Sequence, residues 1–267
     1  MSERDDQDES GADVQQPASI GVAALPPHIR ERLEELTKAL TAALGDNLVG
    51  VLVHGSVVRG EYRPGESDVG VVLVLERAEF SHLDAISSAL QTARYAARIE
   101  ATILTESEIA GASDAFPLRY DDIKQRHILL VGRDPFASVE VHDRHRRLRI
   151  EQELREAQIR LRRAVTDAFG AREAIGGAVA RKVKQVRLPL HALLALKGIA
   201  CAPDLWSVFT KVGETYGIDV APLRTARESP EVAHAALVAL LTKTIDDVNA
   251  LETAMDPRSV RPGQRPG

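Results

Sequence analysis

In the stretch "LVGVLVHGSVVRG" an apolar run ends in His54, Gly55 and Ser56, and Arg59 follows shortly after. A strand that stops on Gly-Ser and turns into a helix suits phosphate chemistry, because the first N–H groups of a helix are unpaired and carry the positive end of its dipole. Gly55 lets a ligand approach the backbone closely, and Ser56 adds a hydroxyl donor. Arg59 and Arg63 bring guanidinium groups that match phosphate oxygens. The same Gly-Ser pair also builds tight turns for geometry alone. Asp68 opens the next apolar run, "DVGVVLVLE", and a carboxylate at the head of a strand projects toward a ligand held above that turn. His54 has two readings: contact with a nucleotide or phosphate, or a partly buried imidazole bonded to backbone.

The elements that must position these residues follow from hydrophobic spacing. "PPHIRERLEELTKALTAALGD" repeats Ile29, Leu33, Leu36, Leu40 and Leu44 at helical intervals after a Pro start. "NLVGVLVHG", "DVGVVLVLE" and "RIEATILTE" read as strands. Between the second and third, Phe80, Leu83, Ile86, Leu90 and Tyr95 lie close to one helical stripe. The order helix, strand, strand, helix, strand predicts an α/β unit with a small mixed sheet. "FPLRYDDIKQRHILLVGRDPF" adds an edge strand or a short helix. After Val141 the chain turns into a densely charged amphipathic helix with Leu148, Leu154, Ile159 and Leu161 among its apolar positions. Helical runs near Arg172 to Ile199, Asp204 to Tyr216 and Pro230 to Met255 follow, which predicts an all-α bundle. Within the first of these, Pro189 is expected to interrupt the helix. The expected divisions are a disordered tail over 1–25, an α/β domain over 26–140, a helical domain over 141–256 and a second tail over 257–267.

Composition narrows the classes. At 267 residues, 44% hydrophobic and 27% charged, the chain reads as globular with ample length for a buried core. A formal charge of -5 argues against broad, sequence-independent DNA binding, which depends on Lys and Arg neutralising phosphates. No apolar run approaches the roughly 20 residues of a membrane span. The acidic start "MSERDDQDESGADVQQPAS" has no signal-peptide pattern, and the single cysteine, Cys201, makes a reducing cytoplasm the simplest compartment. Trp206, the lone tryptophan, is expected to anchor the helical core.

Taken together, "GSVVRGEYRPGESDVGVVLV" resembles the signature of the DNA polymerase beta-like nucleotidyltransferase superfamily, including its minimal and aminoglycoside-modifying branches. That signature is Gly-Ser, a loop of about ten residues, then Asp-x-Asp at the start of an apolar strand, with a third acid on a later strand. The resemblance covers roughly residues 30–135 and implies a nucleotidyltransferase-like α/β domain ahead of the bundle. It makes Gly55 and Ser56 the phosphate-binding pair, with Arg59 beside them, and Asp68 the first metal-binding carboxylate. Glu100 in "RIEATIL" falls where the third acid is expected, or is an ordinary outward-facing strand residue. The second acid is absent: Gly70 stands in its place.

The implied chemistry is a two-metal transfer in which close carboxylates hold Mg²⁺ ions that activate the attacking hydroxyl and stabilise the transferring phosphoryl group. Glycine offers no oxygen ligand, and Mg²⁺ demands near-octahedral oxygen coordination. The loss of one preorganised group costs roughly 10²–10³ in rate. Glu66, in the loop ahead of Asp68, is a candidate for partial compensation. The expectation is a protein that binds a nucleoside triphosphate with Mg²⁺ and transfers a nucleotidyl group weakly, if at all, to an unidentified hydroxyl acceptor on a small molecule, protein or RNA. Asp68 and Glu100 would be its catalytic and metal residues. The alternative is an inactive relative that works by nucleotide binding or protein interaction.

Overall fold

The computed structural model describes residues 21–255. Most of the two tails expected from composition, residues 1–20 and 256–267, lies outside the described residues. Residues 21–25 are described: a single 3-10 turn spans Val22–Ala24, and Leu25 is buried.

Helix α1, Pro27–Leu44, begins on the proline whose fixed φ suits a first helical turn. All five of its spaced apolar residues are buried, as their period requires. Strand β1 (Leu48–His54), the short helix α2 (Ser56–Arg59) and strand β2 (Val69–Leu75) follow. Helix α3 (Phe80–Ala97) then crosses over to β3 (Ile99–Thr105). Short helices α4 (Glu106–Gly111) and α5 (Pro117–Gln125) lead to β4 (His127–Gly132), so the stretch left open between strand and helix contains both.

The sheet order is β3-β2-β1-β4. β1 runs antiparallel to β2 and β4, while the α3 crossover makes β3 parallel to β2. β1 and β2 are apolar on both faces because both faces are covered. Val51, Val53, Val71 and Leu73 pack toward α1 and α3. Leu52, Val72 and Val74 pack toward α4, α5 and Phe136. The α3 stripe differs from its spacing: Ile86 and Ala93 are buried, but Phe80 and Tyr95 are each 83% exposed. The sheet already ends at β3 on that side, so the outer half of the stripe has nothing to cover.

Four long helices form the second layer: α6 (Asp143–Asp167), α7 (Arg172–Leu196), α8 (Leu205–Tyr216) and α9 (Pro230–Met255). They enclose a separate apolar core that includes Leu154, Leu161, Val183, Leu190, Phe209 and Leu237. On α6 the buried stripe is Ile150, Leu154, Ala157 and Leu161, whereas Leu148 and Ile159 are exposed. α7 runs through Pro189 without ending. The ring deletes one backbone hydrogen bond, but Val186, Leu190, Leu193 and Leu194 around it are all buried, and that burial outweighs the missing bond. The molecule is thus a small mixed sheet with helices, followed by an all-α bundle. No described helix is long and apolar enough to cross a membrane.

Candidate functional site

The residues singled out by their chemistry gather at one end of the sheet. Gly55 has φ +87°, a conformation that favours glycine, and it caps α2 so that Ser56 starts that helix. Val57 and Val58 are buried and hold the turn against the sheet, while Gly60, at φ +78°, ends it. Arg59 is therefore aimed away from the sheet core toward the helical layer.

Across the sheet end, cross-strand register sets one row. Gly70 lies opposite His54 on the antiparallel side and beside Glu100 on the parallel side, and His54 lies opposite His127. Register neighbours share a face, so Glu100, position 70, His54 and His127 all project toward α5. A Cβ placed on Gly70 would lie 2.8 Å from His54 Nε2 and 3.0 Å from His54 Cε1. The imidazole thus fills the space that a second acid would enter. Burial, reinforced by the charge of Arg119, lowers the His54 pKa from 6.5 to about 4, so the ring is neutral at physiological pH.

The two remaining acids are each engaged by an arginine from the end of α3. Arg98 donates from Nε to Asp68 Oδ1 at 2.9 Å, its Nη2 lies 2.7 Å from the same oxygen, and Arg94 lies 3.2 Å from Glu100. Both carboxylates are about half exposed. These residues do not fit the two-metal centre that the sequence resemblance implies: position 70 supplies no ligand, an imidazole takes its volume, and the flanking acids face guanidinium groups. Among the described residues no group of three or more His, Cys, Asp or Glu is arranged to hold a metal ion.

The steric coupling is testable. Gly70→Ala should cost about 2 kcal/mol of stability, the usual cost of overpacking. In a His54→Ala background the same substitution should cost nothing. Equal costs in both backgrounds, read from urea unfolding, would mean that the imidazole does not press on position 70.

A cleft of about 750 Å³ opens at the α2 turn. Ser56, Arg59 and Arg63 line its sheet side; Lys184, Arg187 and Trp206 line the helical side. Trp206 also packs on the bundle core and stacks with Arg224, whose guanidinium lies 4.3 Å from the ring centre. Lys184 is exposed and forms no ion pair among the described residues.

Behind this wall lies a network absent from the sequence reading. Asp122 of α5 accepts from Arg59 Nη1 at 3.4 Å and from Arg187 Nη2 at 3.2 Å, tying the α2 turn to α7. Arg187 also donates to the Pro203 carbonyl at 2.7 Å. Glu61 accepts from Arg59 Nε at 2.8 Å and from the Leu205 backbone N–H, the first residue of α8, at 2.6 Å. Asp204 caps the same helix by accepting from the Ser207 N–H. Burial lowers the Arg187 pKa, and Asp122 opposes that shift. One signal for Asp122 was present: it stands four residues after Leu118, itself buried, and so shares the inward side of α5.

Ser56 and Arg59 are thus brought to the cleft, whereas Asp68 and Glu100 do not line it. Ser67, immediately before Asp68, does line it.

No protein-family model matches the chain, and no curated protein matches it in sequence. Among solved structures the chain is similar to spectinomycin adenyltransferase AAD(9) from Enterococcus faecialis, determined with ATP and spectinomycin. The two share 14% identity at a TM-score of 0.48, over 82% of this chain and 97% of that one.

Proposed function

We propose that the chain binds a nucleoside triphosphate by its phosphates in the cleft between sheet and helices, and that it transfers the nucleotidyl group weakly or not at all. The observation that carries this reading is the cleft itself. It joins Ser56 and Arg63 to Lys184 across about 750 Å³, room for a nucleotide. Burial of phosphates between opposed cationic side chains supplies charge-assisted hydrogen bonds. Trp206 on the far wall offers an aromatic surface.

The position of His54 against Gly70 supports weak or absent transfer, because a neutral imidazole supplies no charge to hold a second divalent cation there. A residual Mg²⁺-dependent transfer through Asp68 is the second reading. It is favoured by the placement of Asp68 directly after the cleft residue Ser67.

Titration calorimetry with ATP, GTP, CTP and UTP tests the binding site. Micromolar binding of at least one of them is expected, weakened roughly tenfold in Lys184→Ala by loss of one charge-assisted contact of about 1.5 kcal/mol. Absence of binding by all four would contradict the reading, as would an unchanged affinity in the Lys184 variant.

A further inference from the structure

The cleft contains its own competing anion. Glu61 follows the α2 turn, and both of its carboxylate oxygens are engaged. One accepts from Arg59 Nε at 2.8 Å and the other from the Leu205 N–H at 2.6 Å. The side chains of Arg59 and Glu61 are only 12% and 24% exposed, so the pair sits at the cleft wall with limited access to water. The contact of Arg59 to Asp122 is longer, at 3.4 Å. The strongest hold on the cleft-facing guanidinium is therefore an internal carboxylate, and the same carboxylate fastens the start of α8 to the α2 turn.

We infer that Glu61 is an autoinhibitory anion: a polyphosphate enters the cleft by displacing the Glu61 carboxylate from Arg59, and in doing so releases the N-terminus of α8. The inference rests on the nucleotide-binding reading above and adds the competitor that sets its affinity. The Arg59 guanidinium already serves Glu61 and Asp122, so an arriving phosphate adds a third anion whose repulsion falls on Glu61, the one of the two that lines the cleft. Binding energy from the incoming phosphates must offset the broken Glu61 contacts, so the apparent affinity is lowered by the population of the closed pair. Displacement moves the first turn of α8. Trp206, the only tryptophan in the chain and the neighbour of Leu205, lies in that turn and lines the cleft. Its fluorescence reports release directly.

The test is a titration of the full chain with inorganic tripolyphosphate, read by calorimetry and by Trp206 fluorescence. The variants are Glu61→Gln and Glu61→Asp, with each fold checked by circular dichroism. Glu61→Gln removes the charge and keeps the shape; it should bind about tenfold tighter than the parent chain, with a smaller fluorescence change. Glu61→Asp keeps the charge beside Arg59 on a chain one methylene too short to hold both contacts, and should gain clearly less than Glu61→Gln. Binding by the parent with equal or weaker affinity in Glu61→Gln overturns the competition while leaving the nucleotide site standing. An equal gain in Glu61→Asp also overturns it, since charge would not be the cause. Absence of tripolyphosphate and ATP binding by the parent and both variants overturns this inference together with the binding reading.

Discussion

Asp122→Ala should lower stability by about 3 kcal/mol, the cost of stranding a buried charge, and should depress the melting temperature by roughly 6–12 °C. The Asp122 carboxylate is the common partner of Arg59 and Arg187, whose side chains are only 12% and 8% exposed. Its removal leaves Arg59 with Glu61 alone and Arg187 with a backbone carbonyl. The damage is local to the junction of the α2 turn, α5 and α7. Adding Arg187→Met to Asp122→Ala should recover about half of the loss, because the stranded guanidinium is gone and an apolar chain of similar length can pack there. A loss under about 1 kcal/mol in the single variant, within the range of an exposed pair, would show that water reaches both arginines. Thermal and urea unfolding of the two variants measure both quantities.

Acid sensitivity should trace to His54. Its folded pKa of about 4 lies below the unfolded value of 6.5, so between those values the unfolded chain binds a proton that the folded chain refuses. Stability is then full above pH 6.5, falls as the pH drops through that window and levels off below about 4. The total loss from this group is about 3 kcal/mol. Other groups titrate in the same range, so the measurement is a difference. Unfolding free energies of the parent chain and of His54→Gln, compared from pH 7.5 to 3.5, should diverge below pH 6.5 with the parent losing more. Parallel curves would mean that the imidazole is protonated in the folded state and that its burial beside Arg119 and Arg59 has little effect.

Legibility in the sequence followed the physics of each feature. α1 was fully visible because its apolar residues repeat on one face and every one of them found cover. β1 and β2 were visible as unbroken apolar runs because both of their faces are packed. The outer positions of α3 misled, since a stripe records which residues can be buried and not how far the sheet extends beneath them; Phe80 and Tyr95 lie past its edge. Pro189 misled in the opposite sense, because local backbone preference gave way to the packing of Leu190, Leu193 and Leu194. The Gly55-Ser56 turn was readable from residue types alone; Gly70 stood out only against the family signature that the stretch resembles. What fills the place of the missing acid was not readable, because His54 reaches position 70 only through the antiparallel register of β1 and β2. The Asp122 network lay further from view. Its members come from α2, α5 and α7, far apart in the chain; the spacing of Asp122 after Leu118 marks it as inward-facing but names neither of its partners.

A nucleotide site that operates without a two-metal centre should bind its ligand independently of Mg²⁺. Calorimetric titration of ATP should be run in excess Mg²⁺ and in excess EDTA, on the parent chain and on Asp68→Ala. Dissociation constants within about threefold of one another are expected in all four cases, because Asp68 faces Arg98 and does not line the cleft. Binding that requires Mg²⁺ and disappears in Asp68→Ala would contradict this expectation and would establish Asp68 as a working metal ligand.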